Sequence, residues 1–163
     1  MTRSHSQQPS HLPSGAPTRR HVLAAGAGFA ALMLAPNAQA TPQEMEKAIL
    51  AFTGGVKPKE GRVTVDIPVL LESGASVPTK VSVESAMKGA DFVTSLAVFN
   101  EKNPQPNVAV FHFSARTPQA TAQTRIRLGD SQKIVAVAKM RDGSCFMGAI
   151  EVIVTLPACA EDA

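Results

Sequence analysis

The chain has 163 residues, with sixteen lysines and arginines against thirteen aspartates and glutamates, and neither tryptophan nor tyrosine. That length holds one domain and an additional segment. No run of basic residues is present, and the rings that stack best on bases are missing, so nucleic-acid binding has no footing.

The additional segment is the N-terminus. Thr18-Arg19-Arg20-His21-Val22-Leu23 is a twin-arginine pattern, a weakly apolar run follows over 24–35, and Ala38-Gln39-Ala40 has the small-x-small order of a cleavage site. The apolar run is too short for stable membrane insertion, which takes about 20 residues. Residues 1–40 are therefore expected to be a twin-arginine signal peptide cleaved after Ala40, with Arg19 and Arg20 as the signal and the periplasm as destination. A leader of this kind removes Arg3, Arg19 and Arg20 and no acid, which leaves thirteen basic against thirteen acidic side chains. The basic isoelectric point of about 9.1 thus belongs to the leader.

Thr41-Pro42-Gln43-Glu44 reads as a helix start. Threonine caps, proline suits the first helical position, and glutamate completes a capping box. Met45, Ala48, Ile49 and Phe52 follow as one apolar stripe, and Gly54-Gly55 ends the helix. This short helix is expected to lie against the body of the domain.

From Glu60 the period changes to two. Val63, Val65, Ile67, Val69 and Leu71 alternate with polar positions in one strand, with an edge or a bulge at Pro68. Val77, Val81 and Val83 mark a second strand, and Phe92 to Phe99 a third. Val108 to Phe113 gives a fourth, Thr121 to Leu128 a fifth and Lys133 to Met140 a sixth. Arg141-Asp142-Gly143-Ser144 is a hairpin turn, and Cys145 to Leu156 is the seventh strand. Seven short strands with frequent turn signals predict an all-β, immunoglobulin-like β-sandwich over 41–156, preceded by the short helix. Residues 157–163 are a C-terminal arm.

Chemistry has few candidates. His112 is the single histidine of the mature part, set between phenylalanines in a strand, and reads as a packed or rim side chain. A metal site needs several converging nitrogen or sulfur donors, and a hydrolase or nucleotide site needs a motif that is missing, so no metal and no cofactor are expected. Cys145 opens a strand and reads as a half-buried small hydrophobe. Cys159 lies past Pro157 in the arm, and an odd thiol exposed in an exported protein points to reactivity or intermolecular pairing.

A set of stretches now carries a resemblance. Gly74-Ala75-Ser76-Val77-Pro78, Val81-Ser82-Val83-Glu84-Ser85, the run from Val98 through Asn103-Pro104-Gln105-Pro106-Asn107 to Ala109, Phe111-His112-Phe113, Thr124-Arg125-Ile126-Arg127-Leu128, Ser131-Gln132 and Asp142-Gly143-Ser144 together resemble the SoxY family. These are the sulfur carriers of the periplasmic thiosulfate-oxidising system. The resemblance implies a heterodimer with a SoxZ-like partner. It also implies sulfur held on the cysteine of a Gly-Gly-Cys-Gly-Gly arm, a position that here falls on Cys159. A c-type cytochrome would join thiosulfate to that thiol and a separate hydrolase would release sulfate, so the chain itself is expected to be a carrier and not an enzyme.

The arm departs from the family pattern. Pro157-Ala158 precedes the cysteine and Ala160-Glu161-Asp162-Ala163 follows it. Proline stiffens the base of the arm, and the loss of glycine thickens it. Glu161, Asp162 and the terminal carboxylate oppose thiolate formation and repel a thiosulfate dianion. The altered arm supplies an alternative: a divergent paralogue without turnover, acting as a binding or assembly module with a SoxZ-like partner.

Overall fold

The computed structural model describes residues 40–156. One helix, α1 (Pro42–Thr53), precedes nine strands: β1 (Lys59–Glu60), β2 (Val63–Asp66), β3 (Leu70–Ser73), β4 (Val77–Val83), β5 (Val93–Asn100), β6 (Asn107–His112), β7 (Thr121–Ile126), β8 (Gln132–Met140) and β9 (Cys145–Leu156). The large sheet runs β1-β9-β8-β5-β6, with β3 also on β9, and the small sheet runs β2-β4-β7. Together they form an all-β, immunoglobulin-like sandwich.

The helix forms for the reasons its sequence gives. The Glu44 amide donates to Thr41 Oγ1, and the Thr41 amide donates back to Glu44 Oε2 at 3.1 Å. Gly54 then takes a left-handed φ of 73° and ends the helix. Met45 and Ile49 bury against Ala97, Phe99, Val135 and Val137, and the Phe52 ring meets Phe99 edge-on with centroids 6.0 Å apart. The helix therefore covers the outer face of β5 and β8. Both faces of those strands are buried, so their sequences lose polar alternation.

The inner faces meet in a core of Val63, Val65, Val77, Val81, Leu96, Leu128, Ile134 and Val152, among others. The small sheet alternates cleanly, as a sheet with one wet face does: Val77, Thr79 and Val81 point in, while Pro78 and Lys80 point out. The two sheets approach closely where Gly148 of β9 lies against Val63 of β2. A Cβ on Gly148 would stand 2.0 Å from the Val63 carbonyl oxygen. At the same end, the Arg62 guanidinium donates to the Glu84 carbonyl, pairs with Asp91 and lies 4.8 Å over the Phe146 ring.

The single strand expected from Val63 to Leu71 is two. Proline has no amide to give a ladder and its φ is fixed. At Pro68 the chain leaves the small sheet and joins the large one, so β2 pairs with β4 while β3 pairs with β9. Val69 is consequently exposed. The short β1, which pairs parallel to Phe146 and Met147, has too few residues to show a period.

Candidate functional site

The site is the end of β9 and the chain that leaves it. β9 pairs antiparallel with β8 from Cys145 to Val152 on one side, and on the other parallel with β1 at Phe146–Met147 and with β3 from Ile153 to Leu156. Its last residues are pinned individually. Thr155 Oγ1 donates to the Leu71 and Glu72 carbonyls at 3.2 and 2.9 Å. The Gly74 amide donates to the Leu156 carbonyl at 2.8 Å, the Ile153 amide to Val69 at 2.7 Å, and the Val154 amide to Ser131 Oγ at 2.9 Å. The chain therefore leaves the sandwich from a fixed point. Cys159 is three residues further on and lies outside the described residues, as do Arg19 and Arg20.

Leu156 is 64 % exposed at that point. Leu70 and Ile153 are register partners at 65 % and 54 %, and Val69 is 56 % exposed. Sequence reasoning placed Val69 in a buried alternation and gave no role to Leu70 or Ile153. The signal was Pro68, after which the phase set by Val63 and Val65 no longer binds.

Cys145 is at the other end of β9 and is 2 % exposed, more deeply buried than the half-buried reading. Burial pushes its thiol pKa up. The nearby Lys139 charge opposes that rise, and Asp142 adds to it. Its Sγ is 3.7 Å from the Gly143 carbonyl oxygen, and it is a free thiol. A twelve-residue strand spans about 36 Å at roughly 3.3 Å per residue. Three residues beyond Leu156 can span at most about 10 Å, which leaves Cys145 and Cys159 too far apart to bridge.

His112 is exposed at the end of β6, across from Ser95, a rim position. Among the described residues no group of three or more His, Cys, Asp or Glu side chains is placed to hold a metal ion. Ala40, the residue expected before the cleaved bond, is buried, and its amide donates to the Asn103 carbonyl at 3.0 Å.

A model of the family described as sulfur oxidation protein SoxY matches residues 49–159, from inside α1 through Cys159. The chain belongs to the SoxY family. The sulfur carrier protein SoxY from Chlorobium limicola f thiosulfatophilum superposes with a TM-score of 0.60 at 25% identity, covering 71% of this chain and all of that one. A superoxide reductase (neelaredoxin) from Ignicoccus hospitalis superposes at 0.51 with 12% identity, covering 71% of this chain and 94% of that one, and shares the fold alone. No curated protein sequence matches. SoxY membership gives the chain a carrier role in sulfur oxidation.

Proposed function

We propose that this SoxY-family chain holds sulfur covalently on Cys159 while separate enzymes act on it, in the periplasm and paired with a SoxZ-like chain. In the loading step the Cys159 thiol and thiosulfate form an S–S bond. The thiol proton goes to solvent, and the two electrons leave one at a time, each reducing one ferric haem equivalent of a c-type cytochrome. Water then cleaves the terminal sulfonate as sulfate and a proton, and a persulfide stays on the cysteine. The observation that carries this reading is the anchored end of β9: Thr155, Gly74 and Ser131 hold the last residues of the ladder, and a cysteine follows three residues on in sequence, a span of at most about 10 Å. A rigid root with a short reach presents a thiol to a foreign active site and keeps it out of its own core. Glu161 and Asp162 follow the cysteine in sequence, so an enzyme that takes the arm has to offset their negative charge to bring a thiosulfate dianion to the thiol.

Intact mass of the mature protein after incubation with thiosulfate and the partner enzymes tests the reading. Adducts are expected on Cys159 and are expected to vanish in Cys159→Ala; adducts confined to Cys145 refute it. Co-expression with a SoxZ-like chain is expected to give a stable heterodimer on size exclusion, and a persistent monomer counts against the pairing.

The altered arm supports a second reading, a paralogue that keeps the sandwich and its partner surface without turnover. Replacing Pro157, Ala158, Ala160 and Glu161 by glycine separates the two. A large gain in thiosulfate-dependent loading assigns the natural chain to the second reading, and an unchanged rate assigns it to the first.

A further inference from the structure

The bond expected to be cut, Ala40–Thr41, is held inside the folded domain, and hydrogen bonds close on it from both sides. Before it, Ala40 is buried and its amide donates to the Asn103 carbonyl at 3.0 Å. After it, Thr41 is the N-cap of α1. The Thr41 amide, whose nitrogen belongs to the bond itself, donates to Glu44 Oε2 at 3.1 Å. Thr41 Oγ1 accepts from the Glu44 amide at 3.2 Å, and the Thr41 carbonyl accepts from the Met45 amide at 2.9 Å. Pro42 and Gln43 already lie in the first helical turn, and Met45 of that turn is buried against the large sheet.

The two sides differ in strength. The Asn103 side is rigid: its side chain is bonded to the Gly129 amide, to Gln132 and to the Arg127 carbonyl. The α1 side is weaker. From Thr41 to Glu44 it is exposed, and a helix of twelve residues is marginal in water without its packing. A helix end of this kind opens locally far more often than the sandwich unfolds. Peptidases cut exposed, irregular backbone, and reach a hydrogen-bonded segment through its transiently open form.

We infer that the fold guards its own processing site: the Ala40–Thr41 bond is cut only when the first turn of α1 opens and Ala40 leaves Asn103, while both sheets stay folded. The substrate is the folded precursor, and the rate follows the population of this locally open state. The inference rests on the leader reading, in which residues 1–40 are removed, and is independent of sulfur carriage. In the cut, water adds across the peptide bond and leaves a carboxylate on Ala40 and an ammonium on Thr41. That ammonium forms on the nitrogen that faces Glu44, so the cap closes again as an ion pair, and the Asn103 carbonyl loses the Ala40 amide.

The test uses the full-length folded precursor and a purified peptidase specific for small-x-small sites, in detergent. Cleavage is followed by intact mass, and the expected product begins at Thr41. Glu44→Ala removes the acceptor of the Thr41 amide and is expected to speed cleavage about fivefold, the scale of one hydrogen bond. Glu44→Gln keeps an acceptor in the capping box and is expected to stay within about twofold of the parent. A peptide of residues 32–50, too short for a stable helix, is expected to be cut faster than the precursor and at one rate with or without Glu44→Ala. Urea well below the unfolding midpoint is expected to raise the precursor rate only slightly, because local opening exposes little surface. Amide exchange at Met45 is expected to quicken in Glu44→Ala by the same factor as cleavage, with exchange in β5 and β8 unchanged. An unchanged precursor rate in Glu44→Ala, an equal effect in the peptide, or a rate that climbs with urea as steeply as global unfolding overturns the guard. A precursor cut at another bond, or not at all, refutes the leader reading and the guard with it, and the product mass separates this result from the others.

Discussion

Gly148→Ala tests the packing of the two sheets. Propensity alone favours the change: alanine in a strand gains roughly 0.5–1 kcal/mol over glycine. The structure opposes it. The new Cβ would sit 2.0 Å from the Val63 carbonyl oxygen and 2.9 Å from its carbon, and ordinary contact begins near 3.4 Å. Neither strand yields easily, because Gly148 is laddered to Ala136 and Val63 to Val83. Separating them by more than an ångström loosens Val63 and Val65 over the core. Overpacking of this kind costs about 1–3 kcal/mol, with the upper end expected where the obstacle is backbone. The net is a loss of about 2 kcal/mol. For a domain of this size that is a melting temperature lower by about 8 °C. Far-UV circular dichroism is the assay, since the chain has no tryptophan or tyrosine for fluorescence. The exposed neighbour change Ala149→Ser serves as control, with an expected shift within about 2 °C. A Gly148→Ala protein that melts at or above the parent temperature refutes the reasoning.

Iodoacetamide at neutral pH is expected to alkylate Cys159 in the native protein and to leave Cys145 unlabelled until denaturant is added; peptide mapping that finds Cys145 labelled in the native state contradicts its burial. Thr155→Val removes the hydroxyl that holds the Leu71 and Glu72 carbonyls, and amide exchange at Ile153 and Gly74 is expected to speed up by about tenfold or more, with unchanged protection there as the contrary result. The hydrogen bond from Arg62, first, and that from the Ala86 amide hold the Asp91 carboxyl below its ordinary 3.8. A carboxyl depressed in the folded state stabilises fully above its unfolded value and loses that contribution as pH falls through the folded one. Asp91→Asn is therefore expected to flatten the decline of melting temperature on the acid side of pH 4, and parallel acid limbs for the two proteins would contradict it.

Much of the fold was readable because local chemistry and tertiary need agree. Thr41, Pro42, Glu44 and Gly54 specify α1 by backbone bonding alone, and the structure uses all four as read. Asp142-Gly143 sets the β8–β9 turn, with Gly143 at a φ of 85°. What escaped notice depends on partners distant in sequence. Pro68 was legible as an interruption, but whether the chain bulges or changes sheets is decided by β9, more than eighty residues on. Gly148 gave no signal, since its constraint is the Val63 carbonyl of another strand. The exposed row at Leu70 and Ile153 looks in sequence like any strand interior.

The stretches that resemble the family do a different job from the site. Asn103, within the run from Val98 to Ala109, accepts from the Gly129 amide and from Gln132 Nε2, both at 2.9 Å, and donates to the Arg127 carbonyl at 2.7 Å. The Lys102 amide donates to Gln132 Oε1, and the Lys102 ammonium pairs with Asp130 at 2.9 Å. These side chains staple the β5–β6 connection to the β7–β8 connection, so they record how the sandwich closes. Under the carrier reading proposed above, the arm answers to another pressure, the width and charge of the channel that would receive it. A chain can therefore keep the staple unaltered while its arm exchanges glycine for proline, alanine and acid. Resemblance in the body fixes the frame from which the chain beyond Leu156 departs.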